Sequence, residues 1–173
     1  AVAAVDAGEA VVVYPEGTLT RDPDLWPMTG KTGAARIAFL SAHPVIPVAH
    51  WGAQQVMGPY AKEFHAFPPK LVKVIAGPPV DLDDLRDLPL TSDVLTEATS
   101  RIMDAIAGLL ATLRDESPPS GRWNPKTGRR EPVRHPLPPD RNEAPDVTVT
   151  RRTAKKSRSS ATASTASSGA PHP

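Results

Sequence analysis

Glu16, Gly17, Thr18, Thr20 and Arg21 follow directly on a short apolar run, in the order AVVVYPEGTLTRD from residue 10 to residue 22. A carboxylate at such a tip can accept from a hydroxyl or an amide of a bound molecule. Glycine beside it lets the backbone come close to a ligand or take a positive φ. The threonine hydroxyls and the Arg21 fork suit an oxygen-rich anion such as a phosphate. Pro-Glu-Gly is also common turn chemistry, and the same residues read as a polar turn after a strand.

Other groups carry weaker signals. GKT at residues 30–32 resembles the end of a phosphate-binding loop, but position 25, where that loop needs glycine, is Leu. TRDPDLWPM before it does not read as a strand, so a nucleotide-triphosphate site is not expected. His43, His50 and His65 show no metal-ligand spacing. They are read as a surface residue, a structural strand end and a loop residue. Asp81, Asp83, Asp84 and Asp87 read as a solvated turn and helix cap. Trp26 and Trp51 could flank an apolar groove, meet a membrane interface or pack in a core. PYAKEFHAFPPK, residues 59–70, reads as a surface loop that could touch lipid.

The elements that must hold these groups follow from periodicity. Residues 1–7 read as the end of an Ala-rich helix capped by Gly8. Residues 10–14 are continuous, apolar and β-branched, which suits a strand buried on both faces of a parallel sheet. Residues 31–42 read as a helix, and 45–52 and 71–76 as further short strands. Strand, helix and strand in alternation argue for an α/β unit with parallel strands. Leu95, Ala98, Ile102, Ile106, Leu109 and Leu113 recur at spacings of three and four after Thr91, Ser92 and Asp93. They predict a long amphipathic helix with one face on the sheet.

Composition sets outer limits. The 173 residues hold no cysteine, which excludes disulfides and thiolate chemistry. No signal peptide is visible, and no apolar run is long enough for a spanning helix. The net charge of +1 conceals a basic tail (Arg151, Arg152, Lys155, Lys156 and Arg158) on a mildly acidic body. The tail could solvate, meet anionic lipid or bind nucleic acid without specificity. From residue 118 onward, proline becomes frequent and apolar residues sparse, so residues 118–173 are expected to be disordered and residues 1–117 to fold.

YPEGTLTRD closely resembles the third signature block of the glycerolipid acyltransferases, the lysophosphatidic acid acyltransferase family. There an aromatic precedes Pro-Glu-Gly-Thr, usually followed by Arg-Ser. WPMTGKTGAARIA looks like that family's continuation, and VIPVAHWG is similar to its fourth block. The order and spacing agree over residues 8–85.

The resemblance implies an α/β fold, a partial glycerol-phosphate acyltransferase-like sheet flanked by helices. It implies acyl transfer from an acyl-CoA or acyl carrier protein thioester to a lysophospholipid or glycerol phosphate hydroxyl, with no cofactor beyond that co-substrate. Glu16, Gly17 and Thr18 would hold the acceptor. Lys31 would meet its phosphate, near a helix N-terminus that also favours an anion. Leu19 stands where the family usually has Arg, and Arg21 could substitute. The implied location is peripheral, on the cytoplasmic side of the cell membrane.

The family's catalytic block, a His followed five residues later by an Asp, is expected upstream of Glu16 and does not occur there. No catalytic residue is therefore assigned, and the chain is expected to be a C-terminal portion of such an enzyme. HPLPPD at residues 135–140 has the same spacing, but its prolines forbid the required helix entry, and it lies on the wrong side of the strand. Two other classes stay open: a non-catalytic module that binds a phosphorylated lipid head, and an unrelated hydrolase using Glu16 as base.

Overall fold

A computed structural model describes residues 1–137. Its longest element is a 23-residue helix, Ser92–Arg114, and the rest of the described chain is arranged on it. In chain order the elements are α1 (Val2–Asp6), α2 (Gly33–Ser41), β1 (Val48–Trp51), α3 (Ala53–Val56), β2 (Lys73–Ala76), α4 (Asp83–Arg86), α5 (Ser92–Arg114), β3 (Arg122–Asn124) and β4 (Arg129–Glu131).

Helix α5 starts where its sequence allows. The Thr91 side chain accepts from the Val94 N–H and satisfies one of the free donors of the first turn. The helix ends at Asp115 in the left-handed conformation. Its apolar stripe meets two clusters. Leu95, Ala98 and Ile102 pack with Ala35 and Ala38 of α2 and with Leu82 and Leu85 around α4. Leu110 packs with Trp26 and Ala49, and Ile75 and Leu109 close that cluster.

A second face of α5 is also covered. Thr99, Ser100 and Met103 are buried although they lie off the predicted stripe. Gly30 crosses here, and a β-carbon on it would stand 2.9 Å from Met103 Cγ. The glycine of GKT therefore serves close packing. The hairpin β3–β4 pairs antiparallel, with Trp123 opposite Arg130. Ser100 Oγ donates to the Arg134 carbonyl at 2.7 Å, and Arg122 pairs with Asp104. Residues 118–137 thus lie on α5 in a defined path, where disorder is expected from composition. Few apolar residues are needed because ion pairs and backbone hydrogen bonds hold the segment. The remainder of the expected disordered region, 138–173 with its basic tail, lies outside the described residues.

The sheet also departs from expectation. β1 and β2 pair antiparallel, with Ala49 opposite Ile75 and His50 opposite Val74. Parallel pairing needs a crossover, usually a helix, whereas the connection here holds only the four-residue α3 and irregular chain. Residues 10–14 belong to no strand among the described residues. Val12 is 82% exposed and Tyr14 74%. An apolar β-branched run records readiness to pair. It becomes a strand only when another strand supplies the other half of the hydrogen bonds.

Candidate functional site

The turn at residues 15–18 is built by its neighbours. The Gly17 N–H donates to the Tyr14 carbonyl at 3.0 Å, and the Lys31 N–H donates to the Pro15 carbonyl at 2.7 Å. The second bond ties the turn to the residue before the α2 N-cap. Gly17 has φ +67, and a β-carbon there would stand 2.8 Å from Lys31 Nζ. The positive φ is what favours glycine here, and the Lys31 side chain lies in the room that the missing β-carbon leaves. The α2 N-cap, Thr32, makes no side-chain capping bond.

Glu16 points back under its own loop. Its Oε2 accepts from the Met28 N–H at 2.9 Å. Burial pushes the Glu16 carboxyl above the usual carboxylate range; the Met28 N–H opposes the shift, and the nearby Asp22 charge adds to it. Met28 is 1% exposed, and its sulfur accepts from the Arg21 N–H. Thr20 Oγ1 donates to the Trp26 carbonyl at 2.8 Å, so this hydroxyl serves the loop itself.

Thr18 and Arg21 meet a residue that lies far away in the sequence. Tyr60 donates its hydroxyl to the Leu19 carbonyl at 3.2 Å. Hydrogen bonds with Arg21 and Thr18 hold that phenol below its ordinary range. Tyr60 itself sits at φ +62, uncommon for a bulky side chain. Nothing in its spacing marks it as a site residue. The only signal is an aromatic hydroxyl among prolines and lysines in a long loop.

The structure therefore brings Lys31 onto Gly17 and sets Thr18 and Arg21 at the Tyr60 phenol, with Glu16 bonded to Met28. The tryptophans take another role. The Arg114 guanidinium lies 4.4 Å from the ring centroids of both Trp26 and Trp51. Trp26 is 5% exposed and belongs to the core. This stack joins the end of α5 to the signature loop, and Arg114 also donates to the Asp24 carbonyl at 2.7 Å.

Among the described residues, His43, His65 and His135 face carboxylates outside the site. His43 lies 3.7 Å from Asp6 and His65 3.4 Å from Glu63. His135 lies on α5, 3.3 Å from Glu97 and 3.3 Å from Asp104. Its spacing partner Asp140 is outside the described residues. No helix among the described residues is long and apolar enough to cross a membrane.

Residues 1–51 match the family model described as Acyltransferase. The match includes Glu16, Gly17, Thr18, Arg21 and Lys31, so the site lies within the matched segment. No curated protein and no solved structure matches the chain.

Proposed function

We propose that this chain carries the acceptor-binding part of a glycerolipid acyltransferase. The supporting observation is Lys31 lying on Gly17 in the turn that carries Glu16, inside the matched segment, with Thr18 and Arg21 both beside the Tyr60 phenol. A lysine on the turn, an arginine three residues beyond it and the exposed Thr18 hydroxyl suit a phosphate monoester or diester. Lys31 and Arg21 bind that phosphate. Gly17 lets the acceptor come against the backbone, and Thr18 hydrogen-bonds its glycerol oxygens. Glu16 shapes the turn from below and accepts from an acceptor hydroxyl.

In the reaction the acceptor hydroxyl oxygen attacks the carbonyl carbon of an acyl-CoA or acyl carrier protein thioester. The carbon–sulfur bond breaks, and the carrier leaves as a thiol carrying the hydroxyl proton. A His-x-x-x-x-Asp pair would move that proton as general base and acid. The work takes place at a membrane surface, reached peripherally. The larger fold proposed is an α/β sheet in which residues 10–14 form an inner strand.

Lys31→Ala tests the phosphate contact. Glycerol phosphate binding, measured by calorimetry, should weaken about tenfold, since a charge-assisted hydrogen bond contributes about 1.5–3 kcal/mol. Binding of monoacylglycerol, which lacks the phosphate, should change little. Equal losses for the two would remove Lys31 from the phosphate site. Acyl transfer from acyl-CoA to glycerol phosphate or lysophosphatidate, assayed with the full-length gene product, tests the reaction itself.

A further inference from the structure

The family match ends at residue 51, yet the turn carrying Glu16 is held from much later in the chain. Arg130, on β4, makes a bidentate pair with Asp22: Nε donates to Oδ2 at 2.8 Å and Nη2 to Oδ1 at 2.6 Å. Nη2 also donates to Asp24 Oδ2 at 2.7 Å. The partners are 108 residues apart, and the Asp22 side chain is 1% exposed. Asp22 Oδ1 in turn accepts from the Asp24 N–H at 2.8 Å, which sets the loop's curvature. On the adjoining strand, the Trp123 carbonyl accepts from the Thr29 N–H at 3.0 Å, and Met28 bridges to Trp123 in parallel fashion. Met28 is the residue whose N–H holds Glu16.

We infer that Arg130 is a positioning residue for the acceptor site: the β3–β4 hairpin latches the loop 20–29 so that the Met28 N–H fixes the Glu16 carboxylate under Gly17. The inference rests on the acceptor-binding reading for its functional half, while its structural half stands on the contacts alone. Both sides of the loop are held by the same hairpin, at Asp22 through a side-chain fork and at Thr29 through the backbone. A buried carboxylate with a two-point partner admits one orientation, whereas a single ammonium would leave the loop free to rock. The hairpin thereby decides the geometry of a turn that the signature residues alone leave underdetermined.

Arg130→Ala and Arg130→Lys in the full chain test this, with three readouts. These are amide hydrogen exchange at Met28 and along α5, NMR titration of the Glu16 carboxyl, and glycerol phosphate binding. In Arg130→Ala, Met28 exchange should quicken about tenfold or more, as expected when a buried charged hydrogen-bond partner is removed. Glu16 should titrate higher because its N–H donor has loosened, and glycerol phosphate should bind several-fold more weakly. The exchange of α5 should quicken less than that of Met28. Arg130→Lys keeps the charge and loses the fork, so each readout should fall between wild type and alanine. Unchanged Met28 exchange and Glu16 titration in Arg130→Ala would overturn the latch. Equal quickening at Met28 and along α5 in both variants would also overturn it, since Arg130 would then act on the fold as a whole with no separate hold on the loop. Failure of the wild-type chain to bind glycerol phosphate would instead count against the acceptor reading, with exchange and titration still deciding the latch.

Discussion

Glu16 has two partners with opposite effects, burial and a backbone N–H, and burial dominates. The sign of the consequence follows. A carboxyl that binds its proton more tightly when folded favours the folded state in its protonated form. That contribution is present below the unfolded-state value of about 4.5 and is lost as pH rises through the higher folded-state value. Glu16→Gln should therefore flatten this part of the stability profile and raise the melting temperature near neutrality. The Gln carbonyl can still accept from the Met28 N–H. The same change should weaken glycerol phosphate binding, a usual exchange of function for stability. A lower melting temperature in the variant would show that the ionised carboxylate is net favourable where it sits.

At the scale of elements, α5 carries a charged seam as well as an apolar one. Arg101 donates to both oxygens of Asp84 in α4, at 2.6 and 2.8 Å, and to Glu97 Oε1 at 2.9 Å. The Glu97 side chain is only 4% exposed. Arg101→Met would leave that carboxylate with His135 as its remaining partner, and loss of one member of a buried pair costs about 3–5 kcal/mol. The expected loss in urea denaturation near neutrality is about 3 kcal/mol, because Arg101 keeps some solvent contact. Arg101 also holds the Asp84 carboxyl below its ordinary value of 3.8. The stability this gives is present above that value and fades as pH falls through the lower folded-state value. The gap between wild type and variant should narrow in acid. A gap independent of pH would assign the loss to packing of the Arg101 stem.

Across the whole described molecule, the hairpin and the long helix act together. Arg122 reaches Asp104 and the Ser100 carbonyl, Ser100 reaches the Arg134 carbonyl, and Arg130 reaches Asp22. A chain ending after residue 117 should therefore melt well below one ending after residue 137. At roughly 4 °C for each kcal/mol, and about 3 kcal/mol for leaving one buried carboxylate without its partner, the difference should be at least about 12 °C. Equal melting temperatures would show that residues 118–137 rest on the fold without supporting it. Composition concealed this segment because it is held by polar pairs to distant residues, and apolar content reports only the other way of ordering a chain.

Local patterns determined a good deal by themselves. The spacing from Leu95 to Leu113 set helix α5 and the face it buries, Thr91 marked its start, and the order of Tyr14, Pro15, Glu16 and Gly17 marked the turn inside the segment that the family model matches. These features depend on neighbours within a few residues, where periodicity and turn chemistry suffice. Pairing decided the rest. Residues 10–14 have strand composition and no partner strand among the described residues, and β1 meets β2 antiparallel because the connection between them turns back. Tyr60 joins Thr18 and Arg21, and Arg114 stacks between Trp26 and Trp51, through contacts that no spacing encodes. Arg130 looks like any surface arginine until Asp22 is beside it. Whether a charged side chain is solvated or holds a loop in place is set by what the fold brings near it, and that is a property of the tertiary structure alone.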